Sequence, residues 1–141
     1  MRDKHPFLSP DEAGLTQAAI ILRESGLVGM PTETVYGLAA RADSADAVAR
    51  IYRLKGRPEF NPLIVHVASL DMARTLARFD ETADKLAARF WPGPLTLVLP
   101  LRADAGIAPA VTAGLGTIAL RQPNHPIAAR LLEKVDLPLA A

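Results

Sequence analysis

Apolar residues recur along this chain at two spacings, one of three and four and one of two, and their succession lays out helices and strands. Leu15, Ala18, Ala19 and Leu22 share one helical face, predicting a helix from about Pro10 to Ser25 that Gly26 stops. Ser9-Pro10-Asp11-Glu12 in front of it has the form of a capping box, with Ser9 as N-cap and proline at the first helical position. Leu27-Val28-Gly29-Met30 reads as a short strand ended by Pro31, and Ser44 precedes a second helix in which Val48, Ile51 and Tyr52 recur before Gly56. Leu63 to Val67 is the clearest strand. From Ser69 a helical pattern runs through Met72, Leu76 and Phe79 and continues over residues 81 to 90, until Trp91-Pro92-Gly93-Pro94 breaks it. Leu95 to Leu99 and Thr117 to Arg121 are strands, the second after the turn Ala113-Gly114-Leu115-Gly116. A helix from Pro126 to Lys134 then precedes Leu137 to Ala141, the start of one more strand.

Helices alternating with strands, with no repeat and no linker, predict an α/β or mixed α+β fold around one open sheet of four strands and a fifth begun. The 141 residues, 50% of them hydrophobic, suit one domain spanning 1–141. Its last residues are apolar in what reads as a core strand, whereas domain ends are normally exposed, so the domain is expected to be incomplete at its C-terminal end. A formal charge of +1 excludes a protein that coats nucleic acid on charge alone and makes any phosphate binding local. The absence of cysteine excludes disulfides, thiolate zinc sites, iron–sulfur clusters and thiol nucleophiles, and fits a reducing cytoplasm. No secretory or transit signal opens the chain, and no apolar run reaches the about eighteen residues that cross a bilayer, so no membrane is expected. The twelve prolines lie between apolar segments and read as loop punctuation.

Standard catalytic and nucleotide signatures are missing: there is no GxxxxGK[ST], no GxGxxG between strand and helix, no HExxH and no GxSxG. His5, His66 and His125 lie far apart, so no protein-ligated metal is expected. The chemistry concentrates where polar residues meet prolines and glycines at strand ends. In Pro31-Thr32-Glu33-Thr34-Val35-Tyr36-Gly37 the two threonines suit a small polar ligand, or equally a β-edge segment whose hydroxyls serve the backbone. Arg53 and Lys55 close the second helix, where cations meet the negative end of its dipole. Arg57 lies past Gly56, is fixed by Pro58, and can point with Lys55 toward one polyphosphate. His66 alternates against Leu63, Val65 and Val67, a placement more common for a satisfied core histidine than for a ligand. Arg121 shares a face with Thr117 and Ala119, as either a functional guanidinium or a solvated strand end.

Five co-linear segments carry more than any of them alone. Pro31-Thr32-Glu33-Thr34-Val35-Tyr36-Gly37-Leu38, Lys55-Gly56-Arg57-Pro58 with Asn61-Pro62-Leu63, Ile64-Val65-His66-Val67, Phe90-Trp91-Pro92-Gly93-Pro94-Leu95-Thr96 and Thr117-Ile118-Ala119-Leu120-Arg121 resemble the YrdC family, the threonylcarbamoyl-AMP synthases. The resemblance runs from about Gly26 to the last residue. It implies an open, twisted sheet with flanking helices and a concave positive cleft. It also implies that L-threonine, bicarbonate and ATP give threonylcarbamoyladenylate and pyrophosphate, with Mg2+ accompanying ATP, for the t6A modification of tRNA. Carried over by position, Thr34, His66, Arg121 and Ala141 contact L-threonine, Ala141 opening the segment that closes over it, while Lys55, Arg57, Asn61 and Thr117 contact ATP. Lys55 and Arg57 carry the catalytic charge neutralisation, and no residue is an evident general base. The resemblance further implies that the product passes to a tRNA threonylcarbamoyltransferase in the cytoplasm. Family members continue beyond this point with a Ser-Ala-Asn-type motif and further basic residues that bind nucleotide, so weak or absent synthesis is expected of these 141 residues by themselves. Two alternatives remain: a module that makes weak contact with RNA, double-stranded RNA included, through the basic cleft, and a carbamoyl-adenylate-forming domain of a hydrogenase maturation protein.

Overall fold

Short polar side chains begin four of the five helices of the computed structural model, which describes residues 7–33, 36–56, 58 and 61–141. Asp11 accepts from the Gly14 amide at 2.9 Å and starts α1 (Glu12–Arg23). Ser9 is therefore not the cap: a Cβ on Gly14 would stand 1.7 Å from the Ser9 carbonyl oxygen, because the chain before the helix folds over its first turn. Ser44 caps α2 (Ala45–Lys55), and Gly56 ends it at φ 62°, a left-handed conformation that glycine adopts without strain.

The continuous helix expected after Ser69 is two helices, α3 (Leu70–Leu76) and α4 (Glu81–Phe90). Between them the chain turns extended to pair with a sheet edge, Ala77 bridging Leu101 and the Arg78 amide donating to Pro100, and Asp80 then caps α4. Trp91, 9% exposed, ends α4, its indole N–H donating to the Leu95 carbonyl at 2.8 Å.

The strands are β1 (Val28–Pro31), β2 (Tyr36–Arg41), β3 (Ile64–His66), β4 (Leu97–Pro100), β5 (Thr117–Arg121) and β6 (Leu139–Ala140). They form one mixed sheet in the order β1-β2-β6-β3-β5-β4. β3 and β5 run parallel and every other pair is antiparallel. β2, for which the sequence pattern predicts no defined element, is a strand between β1 and β6, and its Gly-Leu-Ala-Ala stretch lacks the alternation that marks a half-exposed strand.

Both sheet faces carry helices. Val65, Ala140, Leu120 and Ile118 face one core with Val48 and Ile51 of α2, Ala73 and Leu76 of α3, and Ala87 of α4. On the opposite face, Met30, Ala39 and Leu139 pack against Leu15 and Leu22 of α1 and Leu131, Leu132 and Val135 of α5 (Pro126–Val135). This second layer rests on β1, β2 and β6, and beyond it the same face of β3, β5 and β4 is the more open ground.

Candidate active site

Strand register decides which side chains meet on that open half-face. Ile64 pairs with Ala119 and His66 with Arg121 across the parallel β3–β5 ladder, while Val98 pairs with Ala119 and Pro100 with Thr117 across β5–β4. Because side chains alternate, Thr117, Ala119 and Arg121 share this side with Ile64 and His66, as the five-residue strand predicts. Ala141 exchanges both backbone hydrogen bonds with Ile64, and a Cβ on Gly37 would lie 3.3 Å from the Ala141 Cβ. The middle of the face is therefore a low floor of small and aliphatic residues running from β2 to β4.

Its two ends differ. At the C-terminal ends of β3 and β5, the Arg121 guanidinium donates from Nε at 3.1 Å and from Nη2 at 3.0 Å to the Thr96 hydroxyl, which aligns its plane. Beside it His66 is 3% exposed, and its Nδ1 has no hydrogen-bond partner among the described residues. The core histidine expected from the pattern is thus buried with one ring nitrogen unpaired among the described residues, a position at which a ligand gains a hydrogen bond. Burial, reinforced by the Arg121 cation, lowers its pKa from 6.5 to about 4, so the imidazole is neutral at pH 7. Past these strand ends, where open sheets with parallel strands commonly receive ligands, a cavity of about 230 Å³ opens between Val67, Gln122, Asn124 and Glu133, next to His66 and Arg121 in the chain but not lined by them.

At the opposite end Thr117 is exposed, level with the entry of the chain into β3 from Asn61 and Pro62. The Tyr52 hydroxyl lies 2.7 Å from the Asn61 carbonyl and 2.8 Å from that of Ala110, fixing the last turn of α2, and with it exposed Lys55, to this end. From Thr117 to Arg121 the strand spans about 13 Å. The structure thus brings Asn61 and Thr117 to one end and His66 and Arg121 to the other, with Ala141 paired to Ile64 between them; Lys55 ends α2, which packs on the opposite face of the sheet, and Thr34 and Arg57 lie outside the described residues. Sequence reasoning did not single out Thr96, which holds Arg121, or Gly37 and Ala119, which lie on the same face. Thr96 falls in the stretch read as the strand Leu95 to Leu99, and small residues give no chemical signal until a register places them on a shared face.

Residues 20–141 match the model of the Sua5/YciO/YrdC family, described as telomere recombination. The chain is 51% identical to a threonylcarbamoyl-AMP synthase of Bacillus subtilis over 135 residues, 95% of this chain and 39% of that protein. The crystal structure of P. abyssi Sua5 complexed with L-threonine is similar at a TM-score of 0.89 and 49% identity, over 93% of this chain and 38% of that one. E. coli YciO is similar at a TM-score of 0.83 and 26% identity, over 94% of this chain and 64% of that one. The chain spans less than half the length of the curated relatives from B. subtilis and Pyrococcus abyssi.

Proposed function

The chain belongs to the Sua5/YciO/YrdC family, and from that premise we propose that its protein makes L-threonylcarbamoyladenylate and pyrophosphate from L-threonine, bicarbonate and ATP, for the t6A modification of tRNA. One observation carries the reading: a guanidinium and a neutral, partly unpartnered imidazole are register partners on an open sheet face, in a fold shared at 49% identity with a Sua5 solved with L-threonine. The relatives named threonylcarbamoyl-AMP synthase support the same reaction.

In this proposal Arg121, oriented by Thr96, takes the threonine carboxylate, and His66 offers Nδ1 to the polar groups of the amino acid. Thr34 completes that subsite. Lys55, Arg57, Asn61 and Thr117 hold ATP at the other end, giving the cleft its positive charge. The low floor at Gly37, Ala119 and Ala141 lets the two ligands approach the backbone and each other. A carbamate formed on the threonine nitrogen is an anion attacking a more highly charged anion, so the site's work is neutralisation and alignment. The carbamate oxygen bonds to the α-phosphorus, the bond to the β-phosphate oxygen breaks, and pyrophosphate leaves with that electron pair. Lys55 and Arg57 are the groups proposed to offset the charge.

Mg2+ is proposed to enter with ATP. Among the described residues no three histidine, aspartate or glutamate side chains group where they could hold a metal, so phosphate oxygens would supply its ligands and no step is routed through it. Residues 1–141 are proposed to act as one domain, in the cytoplasm, passing the adenylate to a tRNA threonylcarbamoyltransferase. Pyrophosphate release from ATP by the full-length protein tests the reading. Release strictly dependent on L-threonine and bicarbonate is the expected result, and threonine-independent release, or RNA binding without release, overturns it.

A further inference from the structure

The connection from β1 to β2 leaves at Pro31 and returns at Tyr36, in the hairpin at one edge of the sheet. Glu33 lies in this connection, and its Oε2 accepts a hydrogen bond from the Asn124 backbone N–H at 2.6 Å, 91 residues away in sequence. Asn124 follows Arg121 by three residues, just past the end of β5. The β1–β2 hairpin closes level with Asn61, before β3 begins, whereas Asn124 lies past the C-terminal end of β5, so the contact joins opposite ends of the sheet. The negative charge of Glu33 acts on the His66 imidazole, at the far end of β3 from the hairpin, against the effects of burial and Arg121.

Glu33 and Asn124 are both exposed, so the contact adds nothing to either core. A bond between two exposed loops orders chain at an entropic cost, and here it orders the rim of the cavity beside Gln122 and Asn124. We propose, resting on the amino-acid subsite read above, that Glu33 is a positioning residue: its carboxylate straps the chain that follows β1 to the chain leaving Arg121, and so walls the end of the site that receives L-threonine. The strap needs an acceptor at position 33 and does not need its charge to reach the ligand.

Two variants of the full-length protein separate these roles. With L-threonine titrated calorimetrically, Glu33→Ala is expected to raise Kd about tenfold, the loss of one charge-assisted hydrogen bond. Glu33→Gln, whose amide oxygen still accepts, is expected to return Kd to within about threefold of the parent. Hydrogen exchange at the Asn124 amide, followed by NMR, is expected to speed up in Glu33→Ala and not in Glu33→Gln. Thermal unfolding should move little in either, since both groups face solvent. An Asn124 amide that is deprotected while threonine affinity stays unchanged overturns the proposal. So does a Glu33→Gln protein as weak as Glu33→Ala, because the charge would then act on the amino acid directly. A parent protein that binds no L-threonine overturns the underlying reading of the site and takes the strap's role with it, a result distinct from the other two.

Discussion

The face of the sheet that carries the candidate site is divided in two, and the halves obey different rules. Over β1, β2 and β6 it is paved with Met30, Ala39 and Leu139 and sealed by α1 and α5, with Leu22, Leu132 and Leu139 fully buried. Over β3, β5 and β4 the same side of the same sheet presents Arg121 and Thr117, with Val98 63% exposed. Backbone pairing runs unbroken from one half to the other, so the ladder does not make the difference. Two helices cover one half and not the other, and His66 and Ala141 lie at the seam. Burying leucines stabilises the covered half; at the edge of the open half the fold leaves His66 Nδ1 without a partner among the described residues, where a ligand can supply one.

Substitutions on either side of the seam should break this division differently. The largest effect is expected in the covered half, where Leu132→Ala removes a fully buried side chain between α5 and the sheet. It should cost about 3 kcal/mol in urea unfolding, through lost transfer energy and the cavity left behind. Threonine affinity per folded molecule should hardly change.

At the seam, pH is the probe. The unfolded chain protonates His66 near the ordinary value of 6.5, whereas the folded chain resists until about 4 because of burial and Arg121. The unfolded state therefore binds more protons across that window, and stability is highest above pH 6.5 and falls as pH drops toward 4, by up to about 3 kcal/mol. Unfolding free energies at pH 7 and pH 4.5 should show this loss in the parent and a shallower one in His66→Asn.

In the open half the signs reverse, with function suffering and stability not. Arg121→Ala should weaken L-threonine binding by about 2 kcal/mol, roughly 30-fold, while unfolding changes by less than about 1 kcal/mol. A loss of stability as large as that of Leu132→Ala would show the guanidinium to be structural and erase the distinction. The smallest effect belongs to Gly37→Ala, whose new Cβ would sit 3.3 Å from the Ala141 Cβ. Raising the floor there should weaken threonine binding about threefold and leave stability level or about 0.5 kcal/mol higher, because the unfolded chain loses freedom. Calorimetric titration beside thermal melts reads both quantities.

Much of this was written in the chain. Helical spacing identified the buried faces of α1, α2 and α5, alternation set His66 against Val65 and put Thr117 with Arg121, and five co-linear segments pointed to the family. These are properties of neighbours in sequence, which local sterics and periodicity control. The cap of α1 was misread because what excludes Ser9 is a contact between the incoming chain and Gly14, which no capping motif encodes. β2 was missed because a strand with neighbours on both edges and both faces partly covered needs small residues and no alternation. The helical pattern after Ser69 hid a break because the competing partner, the Pro100–Leu101 edge, is more than twenty residues away.

By itself, then, the sequence determined the order of the elements, their buried faces and the residue types available for chemistry, since each depends on a few adjacent side chains. Only the tertiary structure decided that α1 and α5 cover half a sheet face, that Thr96 holds Arg121 and that Glu33 reaches Asn124. Each joins residues that chain connectivity leaves far apart, through strand register and layer packing, and their energies arise only when the whole sheet has formed.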